Sequence, residues 1–122
     1  MYGGHLVVIS DANENSFVSS LTNNYPIWIG LRQNSNNLNF SEPAGGWEWV
    51  NNENFIYSNW SQFEPNNSGG SENHAEMSGS SSFWNDNNNF NQIKFMMEIP
   101  SSFQTLSGCD SVAILNLTIN NN

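Results

Sequence analysis

The chain has 122 residues, of which 37% are hydrophobic, and this size and composition suit one folded domain. Its formal net charge of -9 reflects eleven Asp and Glu against two basic residues, Arg32 and Lys94. Phosphate binding requires clustered Lys and Arg, so the composition excludes nucleic acid and anionic lipid as electrostatic partners. Five Trp and eight Phe argue against disorder, while abundant Asn and Ser predict many turns and few long helices.

The N-terminus begins with an apolar run, and residues 5–10 are predicted to form a short buried strand. No basic start or long apolar stretch indicates a signal peptide, so we expect a chain entered in mid-domain, cut from a longer protein. Asp11 is a candidate helix N-cap, with Glu14 placed for a capping box. The short helix is predicted to end near Asn23. Its apolar face consists of Phe17, Val18 and Leu21.

Further along the chain, apolar runs predict four strands, at residues 27–31, 47–50, 93–99 and 112–119. Residues 32–46 are predicted as a loop, and residues 51–91 are nearly all turn formers punctuated by aromatics. Those aromatics favour a functional loop held against a core over a disordered one. Residues 101–111 are predicted as a polar linker. No apolar run approaches the ~18 residues of a membrane span, so membrane insertion is not expected.

Charge is distributed unevenly. No Lys or Arg occurs between residues 33 and 93, yet seven carboxylates do: Glu42, Glu48, Glu53, Glu64, Glu72, Glu76 and Asp86. Carboxylates without basic partners repel one another unless water or a cation compensates them. A solvated acidic face is the simpler interpretation, and a cation site is the alternative.

The alternative has a specific set of donors. Three carboxylates and two amides lie in short segments of this stretch: Glu64, Asn66, Glu72, Asn85 and Asp86. Calcium prefers such oxygen ligands, in sets of about six to eight. Zinc is not expected, because His5 and His74 are the only histidines. Five protein ligands leave positions that adjacent sugar hydroxyls could fill, and Pro65 within the set could be cis.

Seven short motifs follow one another along the chain: Trp28-Ile29-Gly30-Leu31, Trp47-x-Trp49, Asn59-Trp60, Glu64-Pro65-Asn66, Glu72-Asn73-His74-Ala75-Glu76-Met77, Trp84-Asn85-Asp86 and Phe95-Met96-Met97-Glu98. In this order and spacing they resemble a C-type lectin domain over roughly residues 3–100, so residues 1–100 are predicted to form one lectin-like domain. The resemblance implies an α+β fold with short antiparallel sheets, few helices and a long loop that carries a calcium site. It also implies that the family's N-terminal strand and first helix are missing here.

The resemblance further implies a function. In the family's site the same five residues, Glu64, Asn66, Glu72, Asn85 and Asp86, bind both Ca²⁺ and the sugar. The Glu-Pro-Asn order implies mannose, N-acetylglucosamine, glucose or fucose, which offer equatorial vicinal hydroxyls. Galactose-type relatives have Gln-Pro-Asp instead. We therefore expect a non-enzymatic, calcium-dependent carbohydrate-binding module of a secreted or cell-surface adhesive protein, with neighbouring modules adding multivalency.

The sequence also departs from the family. Neither vertebrate-type disulfide can form, because the single cysteine, Cys109, has no partner in the chain, and this favours a bacterial origin. Amides stand where the family's auxiliary calcium site usually has acidic ligands, at Gln33, Asn67 and Asn73, so we expect one functional ion, with a second ion at low occupancy as the alternative. Residues 108–119 resemble the closing strand of repeat modules in Bacteroidetes surface proteins. Residues 101–122 are therefore predicted as a linker and a strand of a following module.

Other interpretations of the same residues remain open. The five tryptophans could stack on sugars, but core packing is the more common role at strand positions. His74 is expected to pack or hydrogen-bond, and Glu76 to face solvent or support the loop. Paired carboxylates occur in glycosidases, but here the calcium set accounts for them. The functional alternatives are a calcium-stabilised protein-binding adhesin module and an ice-binding domain of the lectin fold.

Overall fold

A computed structural model of the protein describes residues 3–100 and the backbone of residues 112–117. It contains one α-helix, one 3-10 turn at Ser68–Gly70 and seven strands. The elements in chain order are β1 (His5–Leu6), α1 (Ala12–Ser20), β2 (Ile27–Gln33), β3 (Trp47–Trp49), β4 (His74–Met77), β5 (Trp84–Asn87), β6 (Lys94–Pro100) and β7 (Val112–Leu117). The predicted linker at 101–111, Cys109 and the end of the last predicted strand lie outside the described residues. No helix in the described residues is long and apolar enough to cross a membrane.

The strands form a mixed sheet. Its order is β1-β6-β2-β4-β5, with β3 paired to β2 and β7 paired to β6. The predicted antiparallel pairing holds for these contacts except β2–β6, which is parallel at Ile27–Lys94 and Trp28–Phe95. A parallel pair requires a long crossover connection. Here the segment that contains β3, β4 and β5 supplies it.

Strand β6 is covered on both edges. Met97 pairs with Leu6 on β1 and with Leu115 on β7, so these two strands lie on opposite sides of β6. Strand β7 therefore continues the sheet beyond β6 over six paired residues. Whether residues 101–122 belong to a following module stays a prediction.

The predicted N-cap of helix α1 is confirmed, but its predicted buried face is only partly correct. Asp11 Oδ1 accepts the Glu14 N–H at 2.8 Å, as an N-cap does. The Glu14 side chain does not complete a capping box, because it accepts from the N–H and hydroxyl of Ser10 instead. Phe17 is exposed, whereas Val18 is buried. The buried stripe runs from Val18 to the polar Asn15, three residues earlier on the same face.

Aromatic residues hold the long segment 51–91 against the core, as predicted. Trp84 is fully buried, and edge-on ring contacts surround it at centroid distances of 5.7–5.9 Å, from Trp49, Tyr57 and Trp60. The prediction of continuous loop is wrong for two stretches of this segment. Strands β4 and β5 pair along their whole length, from His74–Asn87 to Met77–Trp84. Their polar residues have low strand propensity, so the hydrogen bonds and side-chain contacts with the neighbouring strand stabilise the extended conformation.

Candidate functional site

The loop that follows Trp60 is attached to strand β5 at two points. The Ser61 N–H donates to the Trp84 carbonyl oxygen at 2.8 Å. The backbone N–H groups of Asn66 and Asn67 donate to the two carboxylate oxygens of Asp86, at 3.0 and 2.6 Å. Asp86 is fully buried, so these two donors satisfy a charge that would otherwise be costly to bury. The loop is thereby held over the start and the middle of β5.

Two further predicted ligands join the same hydrogen-bond network. Glu64 Oε1 accepts from Asn66 Nδ2 at 2.7 Å, and Glu72 Oε2 accepts from the Ser68 N–H at 2.8 Å. The Asn67 side chain connects these two ends, because its Oδ1 accepts the Glu72 N–H. The structure therefore brings together four of the five predicted ligands: Glu64, Asn66, Glu72 and Asp86. We call these four residues the carboxylate cluster.

Asn85, the fifth predicted ligand, has a different partner. Side chains alternate along a strand, so Asn85 and Asp86 leave opposite faces of β5. Asn85 Nδ2 donates to Glu76 Oε1 at 3.2 Å, and Asn87 Nδ2 donates to Glu76 Oε2 at 3.0 Å. Glu76 thus supports strand β5, whereas the sequence predicted that it faces solvent or supports the loop. It also lies close enough to Glu72 to raise the pKa of that carboxyl.

The cluster has an unusual electrostatic setting. Burial raises the pKa of Glu64 to about 7, followed by a side-chain hydrogen bond that its protonated form makes with Asp86 and by the charges of Asp86 and Glu72. Burial also raises the pKa of Glu72. Neither base of the chain compensates these charges. Arg32 pairs with Glu48 at 3.7 Å, and the Lys94 ammonium lies 3.4 Å from the centre of the Tyr25 ring.

The donor set fits a hard divalent cation. Its atoms are carboxylate and amide oxygens, and Glu64 Oε2 is a buried oxygen that accepts no hydrogen bond from any described residue. The cluster is closed by its own hydrogen bonds, however. In the described part of the chain no three His, Cys, Asp or Glu side chains are already arranged as a metal-binding group. A cation would therefore replace contacts such as the one between Asn66 and Glu64.

Other residues near the predicted sites have structural roles of their own. Gln33, from the predicted auxiliary site, is buried, and its Nε2 donates to the carbonyl oxygens of Pro43 and Gly45. Its Oε1 is buried without a partner among the described residues. His74 packs edge-on against Trp28, and burial lowers its pKa, consistent with the predicted packing role. The peptide bond before Pro65 is cis, as the sequence suggested.

An open cavity of about 470 Å³ lies elsewhere on the surface, between the loop that precedes β3 and the segment that follows it. None of the five predicted ligands lines it. The lining residues are polar apart from the loop glycines, Ala44 and two aromatic rings, Trp47 and Phe55. The cavity and the carboxylate cluster are therefore built from different segments of the chain.

Comparison with known structures identifies the fold. The crystal structure of the C-type lectin CEL-I from Cucumaria echinata is similar, with a TM-score of 0.67 and 22% identity over 80% of this chain and 69% of that chain. The carbohydrate-recognition domain of cow CD23 has a TM-score of 0.56 and 37% identity, over 68% of this chain and 58% of that chain. The predicted α+β lectin-like fold is thus confirmed, with one helix in the described residues and a mixed sheet.

Comparison with known sequences identifies the family. C-type lectin domain family 4 member G of Mus musculus is 37% identical over 84 residues, which cover 69% of this chain and 27% of that protein. The Perlucin-like protein of Mytilus galloprovincialis is 38% identical over 71 residues, 53% of this chain and 41% of that protein. The chain thus spans less than half the length of these relatives. The family model described as the lectin C-type domain matches residues 1–96. Domains of this type bind carbohydrate, typically with calcium, and are not enzymes. This chain belongs to the C-type lectin domain family.

Proposed function

We propose that this domain binds carbohydrate through a calcium ion held by the carboxylate cluster, Glu64, Asn66, Glu72 and Asp86. Asn85 would join these ligands on calcium binding by exchanging its hydrogen bond to Glu76 for the ion. The observation that carries the proposal is the buried Glu64 Oε2, which accepts no hydrogen bond from any donor of the described residues and has the Asp86 carboxyl as its neighbour. An unpaired buried carboxylate oxygen is costly, and the cluster around it contains further carboxylates but no base. A hard cation supplies the charge that this arrangement lacks, and family membership supports the same function.

A bound ion would offer open coordination positions to two neighbouring hydroxyls of a sugar. The chain's own residues would then hold those hydroxyls in place. Glu64 and Glu72 would accept hydrogen bonds from them, and Asn66 Nδ2, which now donates to Glu64, would donate to a hydroxyl oxygen. Asp86 positions the loop, because it accepts the backbone N–H groups of Asn66 and Asn67.

The order of the residues favours a class of sugar. The Glu64-Pro65-Asn66 order resembles that of family members that bind equatorial vicinal hydroxyls, as in mannose, N-acetylglucosamine, glucose and fucose. The cow CD23 domain, which is 37% identical, was crystallised in the presence of a GlcNAc2Man3 oligosaccharide. This supports mannose or N-acetylglucosamine as the sugar proposed here. A single shallow site of this kind binds weakly. We therefore place the domain in a multivalent adhesive protein that is secreted or attached to the cell surface.

Retention on mannan resin tests the proposal. We expect calcium-dependent retention and release by a chelator, and we expect Glu64→Gln with Asn66→Asp to shift preference toward galactose. Glu42→Gln, at the other Glu–Pro sequence, is the matched control and should leave retention unchanged. A calcium-loaded protein that ignores both mannan and a broad glycan array would overturn the proposal. In that case thermal hysteresis would indicate ice binding, and capture of a protein ligand would indicate an adhesin module.

A further inference from the structure

Phe63, the residue before Glu64, adopts a backbone conformation that does not suit its side chain. Its φ is +68°, in the left-handed region. Within the described residues, six residues other than glycine have positive φ, and four of them are asparagines. Asparagine tolerates this region because its short side chain bonds locally, whereas a bulky side chain there is an outlier. Phe63 is the only aromatic residue of the six.

The turn that contains Phe63 normally selects a different residue. The Glu64 N–H donates to the Ser61 carbonyl oxygen at 3.0 Å, which closes a four-residue turn with Phe63 in the third position. Positive φ at that position is the mark of a type II turn, which favours Gly or Asn there. A phenylalanine at this point therefore strains the backbone of the free domain.

Packing does not explain the choice of residue either. Phe63 is 86% exposed, and it belongs neither to the core cluster nor to any aromatic pair among the described residues. An exposed ring contributes little to folding, because its apolar surface remains in water. Local rules that are broken without a structural gain are expected at functional sites.

The turn holds Phe63 in a defined place beside the carboxylate cluster. On one side the Ser61 N–H is bonded to Trp84, and on the other side the Asn66 N–H is bonded to Asp86. Both attachment points lie on strand β5. The Cα atoms of Phe63 and Glu64 are about 3.8 Å apart, the distance across a trans peptide. The exposed ring thus belongs to a hydrogen-bonded turn next to the proposed sugar site.

We propose that Phe63 is an aromatic platform for a second saccharide unit, next to the unit bound at the carboxylate cluster. This inference rests on the proposed function and adds an extended ligand to it. One face of a sugar ring consists largely of C–H groups, which pack on an aromatic ring, while its hydroxyls remain in water. The neighbours of Phe63 in the turn are the polar Ser61 and Gln62. A single ring in polar surroundings suits a saccharide better than a protein partner, which requires a larger contiguous apolar patch.

Phe63→Asn separates binding from folding. Asparagine removes the ring and suits the left-handed backbone, so we expect a higher melting temperature than in the wild type. Affinity for methyl α-mannoside in calcium should change less than about twofold, whereas affinity for mannotriose should fall about three- to tenfold, the scale of one aromatic contact. Phe90→Asn is the matched control, because Phe90 is 85% exposed and has no positive φ. It should lower neither affinity.

Isothermal titration with the two ligands and thermal unfolding give distinct outcomes. Loss of mannotriose affinity alone, with Phe63→Tyr retaining it, supports the platform. Equal mannotriose affinity in wild type and Phe63→Asn overturns the platform but leaves the proposed function intact. Failure of the wild type to bind either mannoside, or the corresponding N-acetylglucosamine ligands, in calcium overturns both.

Discussion

Two turns of this domain contain the same dipeptide with a cis peptide bond, Glu42-Pro43 and Glu64-Pro65, but their surroundings differ. At the first turn the carboxylate of Glu42 is exposed, and the structural contacts are made by the Pro43 carbonyl oxygen. That oxygen accepts from Trp47 Nε1 at 3.0 Å and from Gln33 Nε2 at 3.3 Å. At the second turn Glu64 is half-buried beside Asp86 and Glu72, and its Oε2 is the buried oxygen.

The comparison shows that the dipeptide alone does not make a binding site. At the first turn the carboxylate is exposed, and the unpaired buried oxygen nearby is the neutral amide Oε1 of Gln33. At the second turn the unpaired buried oxygen belongs to the Glu64 carboxyl, which lies among other carboxyl groups. The ionised form of such a carboxyl requires a compensating cation, whereas a neutral amide oxygen does not.

Asp86→Asn should have the largest effect, because Asp86 organises the second turn. An asparagine turns an N–H₂ group toward one of the two backbone N–H groups that Asp86 now accepts, so one part-buried donor loses its partner. We expect the free energy of unfolding of the metal-free protein to fall by about 1–3 kcal/mol, and calcium binding to be lost. Urea unfolding and calorimetric calcium titration measure the two effects.

Glu48→Gln provides the corresponding change beside the first turn, where Glu48 accepts from Asn34 and pairs with Arg32. Because the Arg32 side chain is exposed and Glu48 is only half-buried, we expect a loss below about 1 kcal/mol and unchanged calcium binding. If Glu48→Gln lowered stability and calcium binding as much as Asp86→Asn, the two turns would not differ in the way proposed.

Glu64→Gln and Glu42→Gln compare the two turns directly. Glu64→Gln removes a proposed calcium ligand and should weaken calcium binding by more than about tenfold, since even outer-shell partners of a metal typically contribute 10- to 100-fold. Glu42→Gln should leave calcium affinity within about twofold, because the Glu42 side chain is exposed. Calorimetric titration of both variants with calcium measures the two affinities. A similar loss in both would mean that calcium binds through general acidity of the surface.

The smallest predicted effect is a pH dependence confined to the second turn. In the folded metal-free protein the pKa of Glu64 is about 7, above its ordinary 4.5. Ionisation in this range therefore favours the unfolded state, and the stability that this group contributes is full below pH 4.5 and lost as the pH rises through 7. Calcium favours the ionised carboxylate, so the calcium-induced rise in melting temperature should grow between about pH 5.5 and 7.5.

Thermal unfolding with and without calcium measures this dependence. Glu64→Gln should reduce it, and Glu42→Gln should retain it. A calcium shift that is the same at both ends of the pH range would contradict the proposed role of Glu64.

The elements that sequence patterns predicted best were those in which local chemistry and tertiary contacts agree. Asp11 caps the helix because an N-cap requires only a side-chain oxygen beside free N–H groups. Strand β2 was predicted because its residues are apolar, and most of them are buried. Strands β4 and β5 were missed, because polar residues such as Glu76 and Asn87 become part of a strand only through their partner across the sheet.

In the helix, too, a tertiary contact determined which residue is buried, and the sequence pattern did not predict it. Apolar spacing predicted Phe17 beside Val18 on the buried face, but Phe17 is exposed and Asn15 is buried there with Val18. Asn15 is there because its Oδ1 accepts the Trp84 Nε1–H at 2.8 Å and its Nδ2 donates to the Ser82 carbonyl oxygen. Sequence patterns rank residues by polarity, and they cannot anticipate a buried polar residue whose partners lie some 70 positions away.

The chain alone contains the ordered motifs of the C-type lectin family, the oxygen donors and the absence of bases around them, because all of these are matters of residue type and spacing. Tertiary structure decided which of those donors are used. It buried Asp86 under two backbone N–H groups, directed Asn85 toward Glu76, left one oxygen of Glu64 without a donor and exposed Phe63 beside it. Burial and hydrogen-bond partners come from segments far apart in the chain, and these two quantities distinguish the two otherwise identical Glu–Pro turns.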